Sequence, residues 1–506
     1  MTSFLKRQIF KDTAKYISSQ YVAQFLGIII SFAMKRFLGP SMIGIWNVVL
    51  LIISYSSFAS LGTVEAAYRD IPFYKGAQKL EKAERLKNEV FTFALITVMV
   101  LAVGLIVYAI ARKNTIDRTP YLFSALIFTA VLLVCQKIYD YYTTLLRANK
   151  EFTIISQVTI LAAVCNLVFT FLLVWPFKLY GLFAASLLNV FLPFWFVSSR
   201  ARYRICLTLS RSGLAQMLKI GFPLFLLGLC SMTVSSIDKI IIAKYLGVTA
   251  LGNYSIALMA GSYLLGMPNM FCIALYPRLQ EKYGKEQSPE MIKNYLLQPI
   301  LVVAGIIGFL IGLSVLVVPY LISLLLPAFT SGIPAMKIFV WSVFFFAIGQ
   351  HAYTFLVTLN KQWKTIPLAV LGLCVIGGLG ILFIRFGWGI EGVALGVLIG
   401  SLIYNYSLIA YAKSHFAGVK ESFRFFVFIS LIFIYFAVAT FLFSSIGHDL
   451  VLMAVLIRCF LYLLAAMPLF WILEKKTGFV TLAIAVIKDK FQKTPHVIVK
   501  QKKHVT

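Results

Sequence analysis

The sequence predicts an all-α protein that crosses a membrane about 14 times. Three observations lead to this prediction. The chain is 60% hydrophobic and only 13% charged, and its mean hydropathy is +0.90, so one soluble core could not bury its apolar surface. Its apolar runs are continuous rather than alternating, which favours helices, because lipid offers the backbone no hydrogen-bond partner. Its two halves also resemble each other.

The apolar runs define the predicted spans, each with the roughly 20 apolar residues that a spanning helix needs. Gly39 and Pro40 are expected to end the first span. The proline-containing stretch from Val317 to Phe329 predicts either a re-entrant turn or a lengthened ninth span. In chain order the spans are 16–35, 42–63, 90–111, 120–142, 154–175, 180–198, 214–236, 249–275, 297–318, 336–358, 366–385, 389–411, 425–444 and 450–473.

An internal repeat relates the two halves. Gly39 and Gly44 return as Gly247 and Gly252 at an offset of 208 positions, each pair beginning after a leucine and ending two positions before an aromatic residue. Further pairs follow in order at this or nearly this offset, namely Tyr68 with Tyr276, Gly76 with Gly284, Asn149 with Asn360 and Gly181 with Gly392. A duplicated membrane bundle is typical of secondary transporters. We expect Gly44 and Gly252 to permit close packing of helices.

The basic residues predict that both termini are cytoplasmic. Loops rich and poor in Lys and Arg alternate through all the spans, and cytoplasmic loops carry the excess. The poor, outer loops hold Lys35, Arg36, Arg112, Lys113, Arg118, Lys178, Lys244 and Arg385. Six spans per repeat make the duplication parallel. The predicted regions are an interfacial segment 1–15, an N-terminal lobe 16–211, a C-terminal lobe 212–413, two further spans within 414–473 and a basic tail 474–506.

Several functional classes lack the residues they need. The net charge of +28 fits attraction to anionic lipid rather than to nucleic acid, since no loop is long enough for a soluble domain. The seven cysteines and five histidines are scattered without metal or redox spacing. A phosphate-binding glycine loop and a nucleophile elbow are also missing from the sequence. We therefore predict no cofactor, no metal site, no nucleic-acid partner and no enzymatic activity, with membrane lipid as a partner.

Charged residues inside apolar spans are the strongest site candidates, because charge near the bilayer centre costs a few kcal/mol. Glu65 and Arg69 stand four positions apart, and Lys137 and Asp140 stand three apart, so each pair can share one helical face. Two interpretations stay open for both pairs. Either they are structural ion pairs near the cytoplasmic surface, or they take part in transport.

Asp238 and Lys239 are the preferred candidates. Adjacent residues on a helix point about 100° apart, so they cannot easily neutralise each other and at least one should find a partner on another helix or on substrate. The repeat also pairs Arg36 with Lys244 at the outer ends of the first and seventh spans, where two cations would suit a dianionic group. Lys244 could instead extend its amine to the lipid headgroups.

Several motifs resemble polysaccharide flippases of the multidrug/oligosaccharidyl-lipid/polysaccharide exporter superfamily. The segment Ser236–Ile242, followed by Tyr245-Leu246-Gly247, is similar to the family's signature in its second half. The first hairpin and the loop 145–150 are similar to other family segments, and the resemblance extends over the whole chain. It implies two six-helix lobes around a central cavity, two extra C-terminal helices and alternating access.

The resemblance also implies a substrate and a cellular setting. The substrate would be an oligosaccharide repeat unit on undecaprenyl pyrophosphate, flipped across the bacterial cytoplasmic (inner) membrane for O-antigen, capsule or exopolysaccharide assembly. Polysaccharide polymerase and chain-length proteins would be partners. A peptidoglycan lipid-precursor flippase shares this fold and carrier, and the sequence leaves that function open as well.

Two more functions have less support. A cation-coupled multidrug antiporter of the same superfamily needs an acidic residue in its first lobe, and the first span from Tyr16 to Ala33 has none, although Glu65 or Asp140 could substitute. A membrane polymerase or ligase for the same lipid-linked sugars should carry a long external loop, and the predicted outer loops are short.

Overall fold

The computed structural model describes residues 3–116, 119–149, 151–201, 203, 205–446 and 452–478, and all regular structure among them is helical. This confirms the all-α fold. The helices are α1 (Ser3–Ser56), α2 (Thr63–Gly76), α3 (Leu80–Ala111), α4 (Lys113–Ile116), α5 (Leu122–Ala148), α6 (Phe152–Phe169), α7 (Trp175–Ala201), α8 (Arg211–Val234), α9 (Ile237–Tyr245), α10 (Val248–Glu286), α11 (Asn294–Leu325), α12 (Ile333–Thr358), α13 (Ile366–Arg385), α14 (Gly389–Lys413), α15 (Val419–Ser444) and α16 (Leu452–Thr477).

The described helices confirm a polytopic membrane protein. Eleven helical stretches are long and apolar enough to span a bilayer, or twelve if α8 is included, which bends by 42° between Gly213–Lys219 and Gly221–Val234. Two stretches, Ser18–Ser60 and Thr153–Ala201, contain 43 and 49 residues. Because one span needs about 20 residues, each of these two has room for two of the predicted spans. The total of fourteen crossings stays a prediction.

Both long stretches are interrupted where the sequence predicts a boundary between spans. Gly39 has φ 72° and ψ 175°, which ends the first helical segment of α1 as predicted. Glycine adopts positive φ without a steric penalty. Lys178 has φ 51° and ψ −124° inside α7, a conformation uncommon for a residue with a side chain. It lies between the predicted spans 154–175 and 180–198.

The ends of α11 and α8 add detail to the predicted spans. α11 continues to Leu325, and a 3-10 turn at Pro327–Gly332 follows, so the ninth span is lengthened rather than re-entrant. The helix that carries Asp238 is separate from the preceding span, because α8 ends at Val234 and α9 begins at Ile237. Asp238 therefore lies in the first turn of a short helix.

The chain divides into two compact units. The first comprises Met1–Tyr263, Leu321–Ser342 and Lys361–Tyr404. One of its hydrophobic clusters joins α2, α3, α5 and the start of α8 through buried side chains. The members of this cluster are Ala67, Ile71, Val90, Tyr141, Leu145 and Met217.

The second unit comprises Leu264–Tyr320, Val343–Asn360 and Asn405–Thr506. Within it, α15 and α16 pack on a glycine face of α11. A methyl group added at Gly308 would lie 2.5 Å from Cδ2 of Phe436, and one at Gly312 would lie 2.0 Å from the hydroxyl of Tyr462. The two C-terminal helices, predicted as an appendage to the repeat, thus fit closely against an earlier helix.

Candidate functional site

The repeat is visible in the backbone of the two turns that contain its first glycines. Gly39 has φ 72° and Gly247 has φ 86°, and each ends a helical segment just before a new one begins. Both are followed, five positions later, by a glycine in the next helix. The equivalent glycines therefore both have positive φ.

The two helices that follow these turns cross at their first turns. A methyl group at Gly44 would lie 1.7 Å from the carbonyl oxygen of Val248, and one at Gly252 would lie 1.8 Å from that of Pro40. Because Val248 is the repeat equivalent of Pro40, the two contacts are reciprocal. We call these four residues the glycine crossing. The prediction that Gly44 and Gly252 permit close helix packing is confirmed, and the helix that each contacts belongs to the other half.

Two further contacts involve tyrosines at the same offset of 208 positions, although their serine partners are not at that offset. The hydroxyl of Tyr55 lies 2.8 Å from Oγ of Ser236, which precedes α9. The hydroxyl of Tyr263 hydrogen-bonds to Ser31 on α1. Each tyrosine thus reaches from the second helix of one half to the first helices of the other. Ser31 also accepts a hydrogen bond of 3.1 Å from Nζ of the buried Lys35.

Asp238 is held by the second half itself. Its side chain is only 3% exposed, and Oδ2 accepts a hydrogen bond of 3.0 Å from the hydroxyl of Tyr254 on α10. Oδ1 has no hydrogen-bond partner among the described residues, although the backbone N–H groups of Asp238 and Lys239 lie near the carboxylate. The first turn of a helix favours a negative charge. Tyr254 is fully buried and packs edge-on against Phe339, with ring centroids 5.6 Å apart.

The cationic candidates are more accessible than Asp238. Lys239 is half-buried and has no hydrogen-bond or ion-pair partner within the described part of the chain. Arg36 is exposed, and its Nη1 donates to the carbonyl oxygen of Leu325 at 3.3 Å. Lys244 is exposed too, with Nζ 5.3 Å from the centroid of the Tyr245 ring. Arg36 and Lys244 each precede a turn glycine by three positions, so they hold equivalent positions in the repeat, although their contacts differ.

The amine of Lys137 contacts the helix break at Ser57–Ser60 rather than the carboxylate of Asp140. Its Nζ donates to the carbonyl oxygen of Ser57 and to Oγ of Ser60, both at 3.1 Å. Among the described residues, it forms no ion pair with Asp140, which accepts a hydrogen bond of 2.8 Å from Gln136 instead. Asp140 attracts Lys137 at longer range.

Glu65 and Arg69 lie on α2, which begins just after this break. Glu65 is exposed, and its charge attracts the amine of Lys137. The side chain of Arg69 lies outside the described part of the structure, so the predicted pairing with Glu65 stays a prediction. Glu65, Lys137 and Asp140 therefore lie in one electrostatic neighbourhood that joins α2 to α5.

The candidate site combines exposed charged side chains with a close contact between two helices. Among the described residues, no group of three or more His, Cys, Asp or Glu side chains lies close enough to hold a metal ion. The exposed cations Arg36 and Lys244 can attract an anion. The glycine crossing brings helices together without ion pairs, by van der Waals packing of backbone on backbone.

Sequence reasoning missed the tyrosine contacts and the partner of Asp238. The offset of 208 positions could have revealed Tyr55 and Tyr263 as an equivalent pair. The bond from Tyr254 to Asp238 had no such signal, since it depends on how α10 folds back after Gly247.

Comparison with known proteins links the chain to polysaccharide biosynthesis. Residues 33–268 match the sequence model of a family described as polysaccharide biosynthesis proteins. The match contains the glycine crossing, both tyrosines and every charged candidate named above. A comparison with curated protein sequences finds no match.

Solved structures with this fold are membrane transporters. The chain is similar to the lipid II flippase MurJ in an inward closed conformation, with a TM-score of 0.70 and 14% identity over 91% of this chain and 99% of that one. It is also similar to an inward-facing multidrug resistance MATE family transporter, with a TM-score of 0.61 and 17% identity over 79% and 97% of the two chains. A transporter from Pyrococcus furiosus gives a TM-score of 0.56 and 18% identity over 84% and 96%.

The fold and the family match agree with each other. At these identities the structural similarity establishes the fold, and the sequence match adds the link to polysaccharides. The similar structures are described as a lipid II flippase and as transporters. The chain thus has the fold of these solved membrane transporters, and its residues 33–268 match the polysaccharide biosynthesis family.

Proposed function

We propose that the protein flips undecaprenyl-pyrophosphate-linked oligosaccharide repeat units across the bacterial cytoplasmic membrane by alternating access, for surface polysaccharide assembly. The glycine crossing is the observation that best supports this mechanism. It joins equivalent helices of two parallel repeats, and a two-fold contact of that kind can open on one side while the other side closes. The family match supports the choice of polysaccharide precursors.

The predicted orientation assigns the glycine crossing to the outer side. With both termini cytoplasmic, the turns at Gly39 and Gly247 face outward. The crossing then closes the outer side in this conformation, and export requires Gly44 and Gly252 to separate. Small residues allow close approach without the directional bonds that would resist separation.

The charged candidates have complementary roles in this proposal. Arg36 and Lys244 attract the pyrophosphate at the outer side, where each flanks the glycine crossing. Asp238 and Lys239 exchange partners between the two access states, since Asp238 has one orphaned oxygen and Lys239 has no described partner. At the predicted cytoplasmic side, Glu65, Arg69, Lys137 and Asp140 contribute to gating.

The lobes of the proposed cycle are residues 16–211 and 212–413. The two predicted spans within 414–473 are additional to the two lobes. Polysaccharide polymerase and chain-length proteins receive the flipped product at the outer face. The basic tail 474–506 binds anionic lipid at the cytoplasmic face.

Flipping can be measured directly in proteoliposomes. A fluorescent undecaprenyl-pyrophosphate oligosaccharide is incorporated in both leaflets, and dithionite then quenches the outer leaflet. We expect quenching beyond the outer-leaflet fraction with the protein and none beyond it in empty vesicles. Equal quenching with and without protein would contradict the proposal. Asp238→Ala and Lys239→Ala should slow flipping, and undiminished rates in both would remove these residues from the site.

A peptidoglycan-precursor flippase is the second candidate. The similarity to MurJ covers 91% of this chain, which is the specific observation in its favour. Labelled lipid II in the same vesicles distinguishes the two candidates. Rescue of cells depleted of their lipid II flippase would support the second candidate, whereas loss of surface polysaccharide after deletion of the gene, without lysis, would support the first.

A further inference from the structure

The segment that connects the two halves lies along α3 instead of looping freely. We call residues 203–210 the strap, of which the structure describes 203 and 205–210. The backbone N–H of Cys206 donates to Oδ1 of Asn88 at 3.2 Å, and that of Thr208 donates to Oγ1 of Thr92 at 3.0 Å. Asn88 and Thr92 are one helical turn apart, so alternate residues of the strap bond to successive turns of α3.

A buried carboxylate holds the end of the strap. Oγ of Ser210 donates to Oε1 of Glu89 at 2.6 Å, and Glu89 is only 4% exposed. Arg85 completes the group, because its Nε lies 2.9 Å from Oε1 of Glu89 and its Nη2 lies 2.9 Å from Oγ of Ser210. Ser210 also caps α8 by accepting from the N–H of Gly213 at 3.1 Å. The start of α8 is therefore bonded to α3 of the first half.

The other end of the strap is held as well. The hydroxyl of Tyr203 donates to Oε1 of Glu151 at 2.6 Å and accepts from Nδ2 of Asn149 at 2.7 Å. Oδ1 of Asn149 in turn accepts from Nζ of Lys75 at 2.7 Å. Burial and the carboxylate of Glu151 raise the pKa of Tyr203 above its usual value, so the hydroxyl stays protonated and keeps donating.

α8 bends shortly after the strap and contacts the first half again at the bend. This helix bends by 42° between Gly213–Lys219 and Gly221–Val234. At the bend, a methyl group at Gly221 would lie 2.6 Å from the carbonyl carbon of Gly62, whose φ is 78°. The backbone of α8 therefore packs directly on the turn before α2, so the first half also holds α8 at the bend.

We propose that the strap stays fixed to the first half throughout transport, with Glu89 as the positioning residue. The start of α8, as far as its contact at Gly221, then moves with the first half. This inference rests on the proposed function, since it concerns a transport cycle. It differs from the expectation that a connecting segment between two lobes absorbs their movement.

A disulfide across the strap tests the proposal. Asn88→Cys is combined with the native Cys206, and the other six cysteines are replaced. We expect the disulfide to form under mild oxidation and the oxidised protein to flip labelled lipid as fast as the reduced one. The matched control carries Cys206→Ser. A large loss of flipping on oxidation, restored by reduction, would overturn the proposal, and so would failure of the disulfide to form.

A spin-label measurement is independent of transport. Labels on exposed Lys82 of α3 and exposed Leu207 of the strap, in a protein without native cysteines, report how firmly the strap is held. We expect one narrow distance distribution, a broad one in Glu89→Ala, and a narrow one in Glu89→Gln, which keeps an acceptor for Ser210. A broad distribution in the parent would overturn the proposal. A narrow one in a protein that flips no lipid would overturn the proposed function instead.

Discussion

Gly44 and Gly252 each lie against the helix that carries the other. A β-carbon at Gly44 would overlap the carbonyl oxygen of Val248 at 1.7 Å, and one at Gly252 would overlap that of Pro40 at 1.8 Å. Because both obstacles are backbone atoms, no rotamer change can relieve the overlap. The four residues therefore limit how closely the two halves approach.

Gly44→Ala and Gly252→Ala should each lower the free energy of unfolding by about 1–3 kcal/mol, because the added methyl group forces the two helices apart, as in an overpacked core. Both should also leave the outer side open more often, which labelling of a cysteine at Ser41 by an impermeant reagent would detect. Gly104→Ala is the matched control, since no atom lies within 4 Å of a β-carbon there. Equal stability of all three variants would contradict this role.

Tyr254→Phe should destabilise the protein by about 1–3 kcal/mol, because it removes the hydrogen-bond donor to a buried carboxyl. Asp238→Asn keeps an acceptor for the tyrosine and should be milder. Melting of purified protein in detergent measures both. The exposed Tyr108 provides the control Tyr108→Phe, which should leave the melting temperature unchanged. An unchanged melting temperature in Tyr254→Phe would mean that this hydrogen bond does not stabilise the protein.

Lys137→Met should destabilise the protein more than Asp140→Asn does. The methionine removes the two hydrogen bonds that Lys137 donates to the carbonyl of Ser57 and the hydroxyl of Ser60, a loss of about 1–3 kcal/mol. Asp140 does not pair with Lys137 at contact distance, and an asparagine there still accepts from Gln136. If the two variants lost the same amount of stability, the ion-pair interpretation would regain support.

The orientation is tested by reporter fusions. A reporter joined after Lys178 should be found outside, and one joined after Arg204 should be found inside, because basic residues are retained in the cytoplasm. Paired alkaline phosphatase and fluorescent protein fusions give opposite signals at the two positions. The reverse pattern would mean that the glycine crossing lies on the cytoplasmic side, contrary to the proposed function.

Hydropathy and backbone preference were enough to predict the helical framework. The boundary at Gly39 follows from a residue that tolerates positive φ next to a proline. The boundary at Lys178 follows from a charge between two apolar runs, although nothing in the sequence predicts its φ of 51°. Each predicted span overlaps a described helix because burial in lipid requires local, continuous apolarity.

The site was less accessible to sequence reasoning, because its contacts are long-range. The repeat offset showed that Gly44 and Gly252 are equivalent but not that each contacts the other's helix. Charge spacing suggested a pair between Lys137 and Asp140, yet the amine reaches two acceptors released by the helix break at Ser57–Ser60. A carbonyl at a helix end has no donor within the helix and can accept from a nearby cation.

The reciprocity of the glycine crossing has an evolutionary consequence. In an ancestor made of two identical chains, Gly44 and Gly252 would have been one residue touching its own copy across a dyad, so any mutation there would have acted twice. In a single chain that constraint does not apply. The copies have since diverged, as Asp238 shows: its counterpart in the first copy is Ile30, so the carboxylate is an asymmetry that a homodimer could not have possessed.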